Sequence, residues 1–207
     1  MRKDIGLVLI MLALTMSGCV AALKQPNLQI HYYTLEYDVQ TPADPRPALP
    51  VVIQLERFSA APAYMSNKII YREKEFTQSA YVYHRWRSTP ADLVTYFLGR
   101  DMRASNLFAA VLPPGRGEPK THVLQGVVDE FTEWDQDTGW EAHLALTVTL
   151  LAAAEPDISQ RVLFQKQFIA NRPCTHQDPQ GLARAMSEAM AQVSLDIRNA
   201  VYDALQE

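Results

Sequence analysis

This chain has little of what builds a stapled scaffold, a nucleotide site or a membrane-spanning bundle. Its 207 residues hold two cysteines, Cys19 and Cys174, too few for a disulfide framework, so stability has to come from a packed apolar core. Its eight glycines form no G-x-x-x-x-G-K-[ST] loop, which excludes nucleotide binding in the P-loop manner. G-x-S-x-G and H-E-x-x-H are missing as well, and with them the serine-hydrolase elbow and the zinc-peptidase helix. Acids outnumber bases 23 to 19, for a formal net charge of −4, which argues against generic nucleic-acid binding. Past the first twenty residues no apolar run approaches the ~20 residues a membrane-spanning helix needs. The nearest, residues 144–154, is too short and too rich in Thr and Val.

What is present at the start of the chain is more specific. Arg2 and Lys3 precede an apolar stretch over residues 5–16, and Leu14-Thr15-Met16-Ser17-Gly18-Cys19 closes it. A charged segment, a short apolar segment and small residues before a cut site make a secretory signal. A cysteine directly after Ser17-Gly18 turns that signal into a lipobox. Processing would acylate the Cys19 thiol, cut the chain before it and acylate the new amino terminus. Each buried methylene contributes roughly 0.8 kcal/mol, so several acyl chains make a durable anchor. Residues 1–18 are read as the signal peptide, 19–30 as a lipidated tether without periodicity and 31–207 as one periplasmic domain. Loss of Arg2, Lys3 and Asp4 takes the charge to −5.

Periodicity outlines the domain. Residues 31–38 alternate as a strand with Tyr33, Leu35 and Tyr37 on one face, and residues 51–58 form a second with Val51, Ile53 and Leu55 inward. Residues 41–50, with four prolines, connect them, and residues 59–66 form a loop. Residues 68–72 and 79–86 read as the arms of a hairpin whose turn, near residues 72–75, has neither Gly nor Asn. Thr89-Pro90-Ala91-Asp92 starts a helix to about Ser105 that buries Leu93, Val94, Phe97, Leu98 and Met102, with Asp101 out of place in the stripe. Strands follow at 108–112, 121–134, 140–152 and 160–171, joined by short turns that make the last three antiparallel neighbours. Asp178-Pro179 caps a final helix with Leu182, Met186, Ala189, Val193, Ile197, Ala200 and Ala204 on one stripe. The expected fold is α+β, a mostly antiparallel sheet with two main helices packed on one face.

Candidate chemistry is sparse. The five histidines are scattered singly, and Cys174 with His176 offers too few ligands for a metal. Asp129, Glu130, Glu133, Asp135 and Asp137 lack the order of a calcium loop and read as solvated carboxylates at strand ends. No metal or cofactor is expected. Residues 64–87 are unusual for an acidic protein. Lys68, Arg72, Lys74, Arg85 and Arg87 are interleaved with Tyr64, Tyr71, Phe76, Tyr81, Tyr83 and Trp86. Such a mixture suits a protein contact or lipid headgroups, and equally a hairpin with aromatics inward and charges outward. Tyr71, Arg72, Arg85 and Trp86 are the candidate partner-binding residues. Leu195 and Tyr202 fall on the outer face of the last helix, either as ordinary exposed residues or as a contact between copies in a homo-oligomer.

Taken in order, several segments resemble the ABC-type transport auxiliary lipoproteins, the group that includes paraquat-inducible protein C. They are the lipobox cysteine followed by Tyr32-Tyr33-Thr34-Leu35, the strand at Val51-Val52-Ile53, Tyr64-Met65, and Ile69-Ile70-Tyr71-Arg72. His84-Arg85-Trp86 before the capped helix, Val123-Leu124-Gln125-Gly126, and a long last helix with Ala185-Met186 and Asp196-Ile197 complete the series. The resemblance implies a non-enzymatic lipoprotein serving an ABC permease, its ATPase and a mammalian-cell-entry domain protein in lipid transport between two membranes. Arg72 and Trp86 match recurrent positions of that family. Val20 after Cys19, instead of Asp, leans toward the outer membrane. A structural or assembly lipoprotein of another envelope complex is the alternative. A periplasmic enzyme would require Cys174 or a serine beside a histidine and an acid.

Overall fold

The structure, a computed structural model, describes residues 29–40, 46–115, 117 and 119–206. The signal peptide, Cys19 and the tether up to residue 28 lie outside the described residues. In chain order the elements are β1 (His31–Tyr33), β2 (Leu49–Leu55), β3 (Ser59–Ala60), β4 (Lys68–Lys74), β5 (Thr77–Trp86), α1 (Pro90–Ala104), β6 (Phe108–Leu112), β7 (His122–Gln136), β8 (Gly139–Ala152), α2 (Ile158–Arg161), β9 (Val162–Pro173) and α3 (Pro179–Ala204).

Strand β7 is the spine of the sheet. One edge pairs antiparallel with β8 along its length, and β8 pairs antiparallel with β9. The other edge is shared end to end by β2, β3 and β4, all parallel, with Ile53 opposite His122, Ser59 opposite Val127 and Ile70 opposite Thr132. Beyond them β6 joins β2 and β1 joins β5, again in parallel. Five of the eight pairings among the described residues are therefore parallel. The fold is α+β, but the mostly antiparallel sheet expected from the sequence is corrected to a mixed one. Short turns do make antiparallel neighbours, at β4–β5, β7–β8 and β8–β9. Parallel neighbours need long crossovers, and no local pattern marks which distant strands those crossovers bring together.

Both long helices pack on the sheet and on each other. Leu93, Val94, Leu98 and Met102 of α1 join Leu182, Met186, Met190, Val193 and Ile197 of α3 in one buried cluster with Ile53, Leu55, Leu124, Val128, Leu144, Leu146, Val148 and Leu150 of the sheet. The Thr89 hydroxyl accepts from the Asp92 N–H, and the Asp178 carboxylate accepts from the Gly181 N–H at 2.6 Å, so each helix starts on its expected cap. Asp101 is no flaw. It is buried, accepts from the Tyr37 hydroxyl at 2.7 Å and pairs with Arg100 at 2.8 Å, which pins the extended segment after β1 onto α1.

Three local expectations change. The first strand keeps its ladder only over His31–Tyr33; the chain beyond lies along α3, where the Glu36 N–H donates to the Ser187 hydroxyl at 3.0 Å. The loop over 59–66 contains β3 and a 3₁₀ turn at Pro62–Tyr64. Tyr202 is not on an outer face. It is buried, its hydroxyl donates to the Pro47 carbonyl at 2.9 Å, and Arg46 covers its ring. Chain returning from residue 46 wraps this end of α3, and helical periodicity cannot foresee that.

A register shift between Val128 and Glu130 opposite β8 marks a bulge at Asp129. The extra residue moves the inward set of β7 from Leu124, Gly126 and Val128 to Phe131 and Glu133. Gly126 sits where a Cβ would strike the Phe58 ring and approach the Thr147 carbonyl oxygen at 2.6 Å. We expect Gly126→Ala to lower the thermal midpoint measurably, because neither backbone nor a buried ring can retreat. Trp86→Ala, which empties a core site against Phe131, should cost about 3–5 kcal/mol in denaturant unfolding. A loss under 1 kcal/mol would contradict this packing.

Candidate functional site

The β4–β5 hairpin divides its basic and aromatic residues between two faces. Arg72 lies opposite Trp134 on β7, with its guanidinium 4.7 Å from the indole centroid, a cation–π arrangement. Both line an open groove of about 270 Å³ with Glu73, Lys74, Glu75, Asp135 and Gln136. Tyr71, one residue away, turns to the other face and packs on Tyr81 with ring centroids 4.9 Å apart. Arg85 sits beside Tyr32 of β1 and Lys68 of β4. Trp86 is 1% exposed and edge-on to Phe131. The four candidate contact residues therefore do not converge. Trp86 is core, Tyr71 is half-buried, and Arg72 presents its charge on a surface aromatic that the sequence reading did not single out, Trp134.

The bulge brings a second group together that the sequence reading took for solvated carboxylates. Glu133 is 0% exposed. Tyr81 donates to its Oε1 at 2.8 Å. Burial pushes the Glu133 carboxyl up to about 8; a hydrogen bond with Asp135 and that neighbour's charge push the same way, and only the Tyr81 contact opposes them. Glu133 thus favours its neutral form at neutral pH beside Asp135, whose own carboxyl is raised chiefly by burial. Tyr81 in turn meets His84 edge-on, and His84 Nδ1 shares a 2.9 Å hydrogen bond with the Tyr33 hydroxyl. The signal was available as alternation, because Phe131, Glu133 and Asp135 share a face.

Cys174 lies at the rim of this group. Burial, with the charges of Glu133, Asp135 and Glu141, pushes its thiol up to about 12. That suppresses the thiolate a nucleophile needs, the opposite of an activated cysteine. Among the described residues no three His, Cys, Asp or Glu side chains converge as metal ligands. The arrangement can hold protons and present a charged aromatic groove.

The Glu133 shift carries a sign. Its folded value lies above the unfolded value of about 4.5, so the folded state holds the proton more tightly. Stability from this group is fully present below pH 4.5 and drains as pH rises toward 8. Thermal melts at pH 5.5 and 8.5 should show Glu133→Gln, which keeps the neutral shape, losing less stability at the higher pH than the parent chain does. Parallel pH profiles would remove the neutral-acid assignment.

No curated protein matches the chain. Among the solved structures with its fold are three that superpose over most of their own length. The crystal structure of protein XCC0632 from Xanthomonas campestris, a DUF330 protein, superposes with a TM-score of 0.73 at 22% identity, covering 86% of this chain and 97% of its own. An uncharacterized protein gives 0.64 at 12% identity, over 84% and 99%. The hypothetical protein CT253 from Chlamydia trachomatis gives 0.52 at 9%, over 74% and 96%. Similarity this low in sequence speaks for the architecture alone. A family profile described as the ABC-type transport auxiliary lipoprotein component matches residues 33–198, from the end of β1 into α3. That match spans most of the chain, which belongs to the family of ABC-type transport auxiliary lipoprotein components.

Proposed function

We propose that this chain is a lipid-anchored, non-catalytic docking component of an ABC system of the mammalian-cell-entry type, moving lipids between the inner and outer membranes. The family match over residues 33–198 carries the reading. Acylation of Cys19 fixes residues 31–207 at the periplasmic face of a membrane, the outer one on the argument from Val20. The permease, the ATPase and the mammalian-cell-entry protein are separate polypeptides, which agrees with a sequence lacking any nucleotide loop. Among the described residues no helix is long and apolar enough to cross a membrane, so attachment falls to the acyl chains. For partner contact, Arg72 on Trp134 is the best-presented feature, an Arg–aromatic pair of the kind that dominates protein interfaces. Tyr71 on the opposite face and Arg85 beside β1 would be secondary contacts, and Trp86 supports the hairpin from within the core.

Cys19→Ala should leave an uncleaved or mislocalised precursor; normal membrane fractionation of that variant would sink the anchor. Crosslinking the detergent-extracted protein, followed by mass spectrometry, should recover the permease, ATPase and mammalian-cell-entry protein. Recovery of a different envelope complex would establish the alternative, an assembly lipoprotein without a transport role. Arg72→Glu should weaken recovery of the partner about tenfold, the usual scale for an interface arginine, without shifting the thermal midpoint.

A further inference from the structure

The free edge of β5, and the turn from which that strand starts, collect apolar side chains that the fold leaves uncovered. Phe76 is 99% exposed, Val82 66%, Tyr32 51% and Tyr83 40%, and Ile30 is exposed beside them. Phe76 occupies the two-residue turn at φ 59°, a left-handed backbone that disfavours a bulky side chain and suits Gly or Asn. No packing within the chain offsets that strain, since the ring touches almost nothing. β1 covers only His84–Trp86 on this edge, so among the described residues Thr77–Tyr83 has no strand neighbour there.

Strand direction says where the tether arrives. β1 runs parallel to β5, with His31 opposite His84. The chain therefore enters β1 from the side of Tyr83 and Val82, the side of the hairpin turn. Cys19 precedes Gln29 by ten residues, which span at most about 35 Å when fully extended. Tyr83 back to Thr77 covers about 20 Å of strand. A lipid surface holding Cys19 thus lies within reach of the whole apolar edge.

Charge fits the same surface. Arg85 lies opposite Tyr32 of β1 and Arg87 lies over the ring of that tyrosine, in a chain of net charge −4. Arg and Lys near Tyr and Phe are the side chains that settle at a headgroup layer of anionic lipid. Open backbone groups on the β5 edge require water, so the contact stays at the headgroup level.

We infer that the β1–β5 edge and the Phe76 turn rest on the membrane that holds the anchor, with Phe76, Val82, Tyr83 and Tyr32 at the lipid interface. This rests on the Cys19 anchor proposed above. It is tested with the acylated full chain carrying Cys174→Ser, so that a single added cysteine takes a bimane label. Phe76→Cys, Tyr83→Cys and, as a control on β9, Ile169→Cys are each reconstituted into phosphatidylethanolamine–phosphatidylglycerol vesicles with and without nitroxide-labelled lipid. Fluorescence should be lost to the nitroxide at Phe76→Cys and Tyr83→Cys and retained at Ile169→Cys, which replaces a side chain 59% exposed. No greater loss at Phe76→Cys than at the control, in protein that still floats with the vesicles, overturns the inference and leaves the anchor standing. Protection of Phe76→Cys in detergent, with crosslinks between copies, overturns it in favour of a second copy of the chain. Protein that fails to float removes the anchor and the inference together.

Discussion

Strand β7 has hydrogen-bonding neighbours on both edges over most of its fifteen residues, and the rest of the fold is arranged to supply them. A strand this long leaves many backbone groups to satisfy once its faces are buried. The antiparallel partner on one side comes directly, through a short turn. On the other side no single strand suffices, so β2, β3 and β4 arrive in succession, each parallel to a different stretch. That division opens the sheet into two arms, β2–β6 at one end and β4–β5–β1 at the other.

The bulge at Asp129 lets one strand serve two environments. Before it, Leu124, Gly126 and Val128 face the helices. After it, Phe131 continues the core against Trp86, and Glu133 follows into a site where burial and Asp135 favour the neutral carboxyl against the Tyr81 hydrogen bond. Outside the bulge, Asp129 accepts from Thr147 at 2.6 Å and from Gln167 at 3.2 Å, tying β7 to β8 and β9 on the opposite face. A half-buried, hydrogen-bonded carboxyl at Asp129 and a fully buried one at Glu133 thus stand four residues apart, separated by one extra residue in the ladder.

For a lipoprotein of an ABC transport system these features divide the work. The core and the two capped helices make a rigid body without activated nucleophile chemistry at Cys174. The β4–β5 hairpin projects the groups that can meet other molecules. Its Arg72 guanidinium lies on Trp134, and its β5 edge collects exposed aromatics beside the start of β1. The Trp86 side chain links these surfaces to the core without reaching either.

The capped helices, the apolar stripe of α3 and the hairpin order were legible in the sequence because each depends on residues within a few turns or one strand of one another. The same locality made every short-turn pairing antiparallel, as Val123 opposite Leu151 and Gly126 opposite Val148 show on β7 and β8. What lay beyond reach was decided across long separations. Parallel partners for β7 come from chain fifty or more residues away, Tyr202 is buried by residues near position 46, and Trp86 is enclosed by Phe131. The alternation of Phe131, Glu133 and Asp135 puts Glu133 on the face of Phe131, but that this face is the buried one depends on the one-residue bulge at Asp129. The sequence alone determined the local elements, where the physics is local hydrogen bonding and side-chain periodicity. Only the tertiary structure decided which side chains face water, because burial is a property of neighbours that the chain meets after folding.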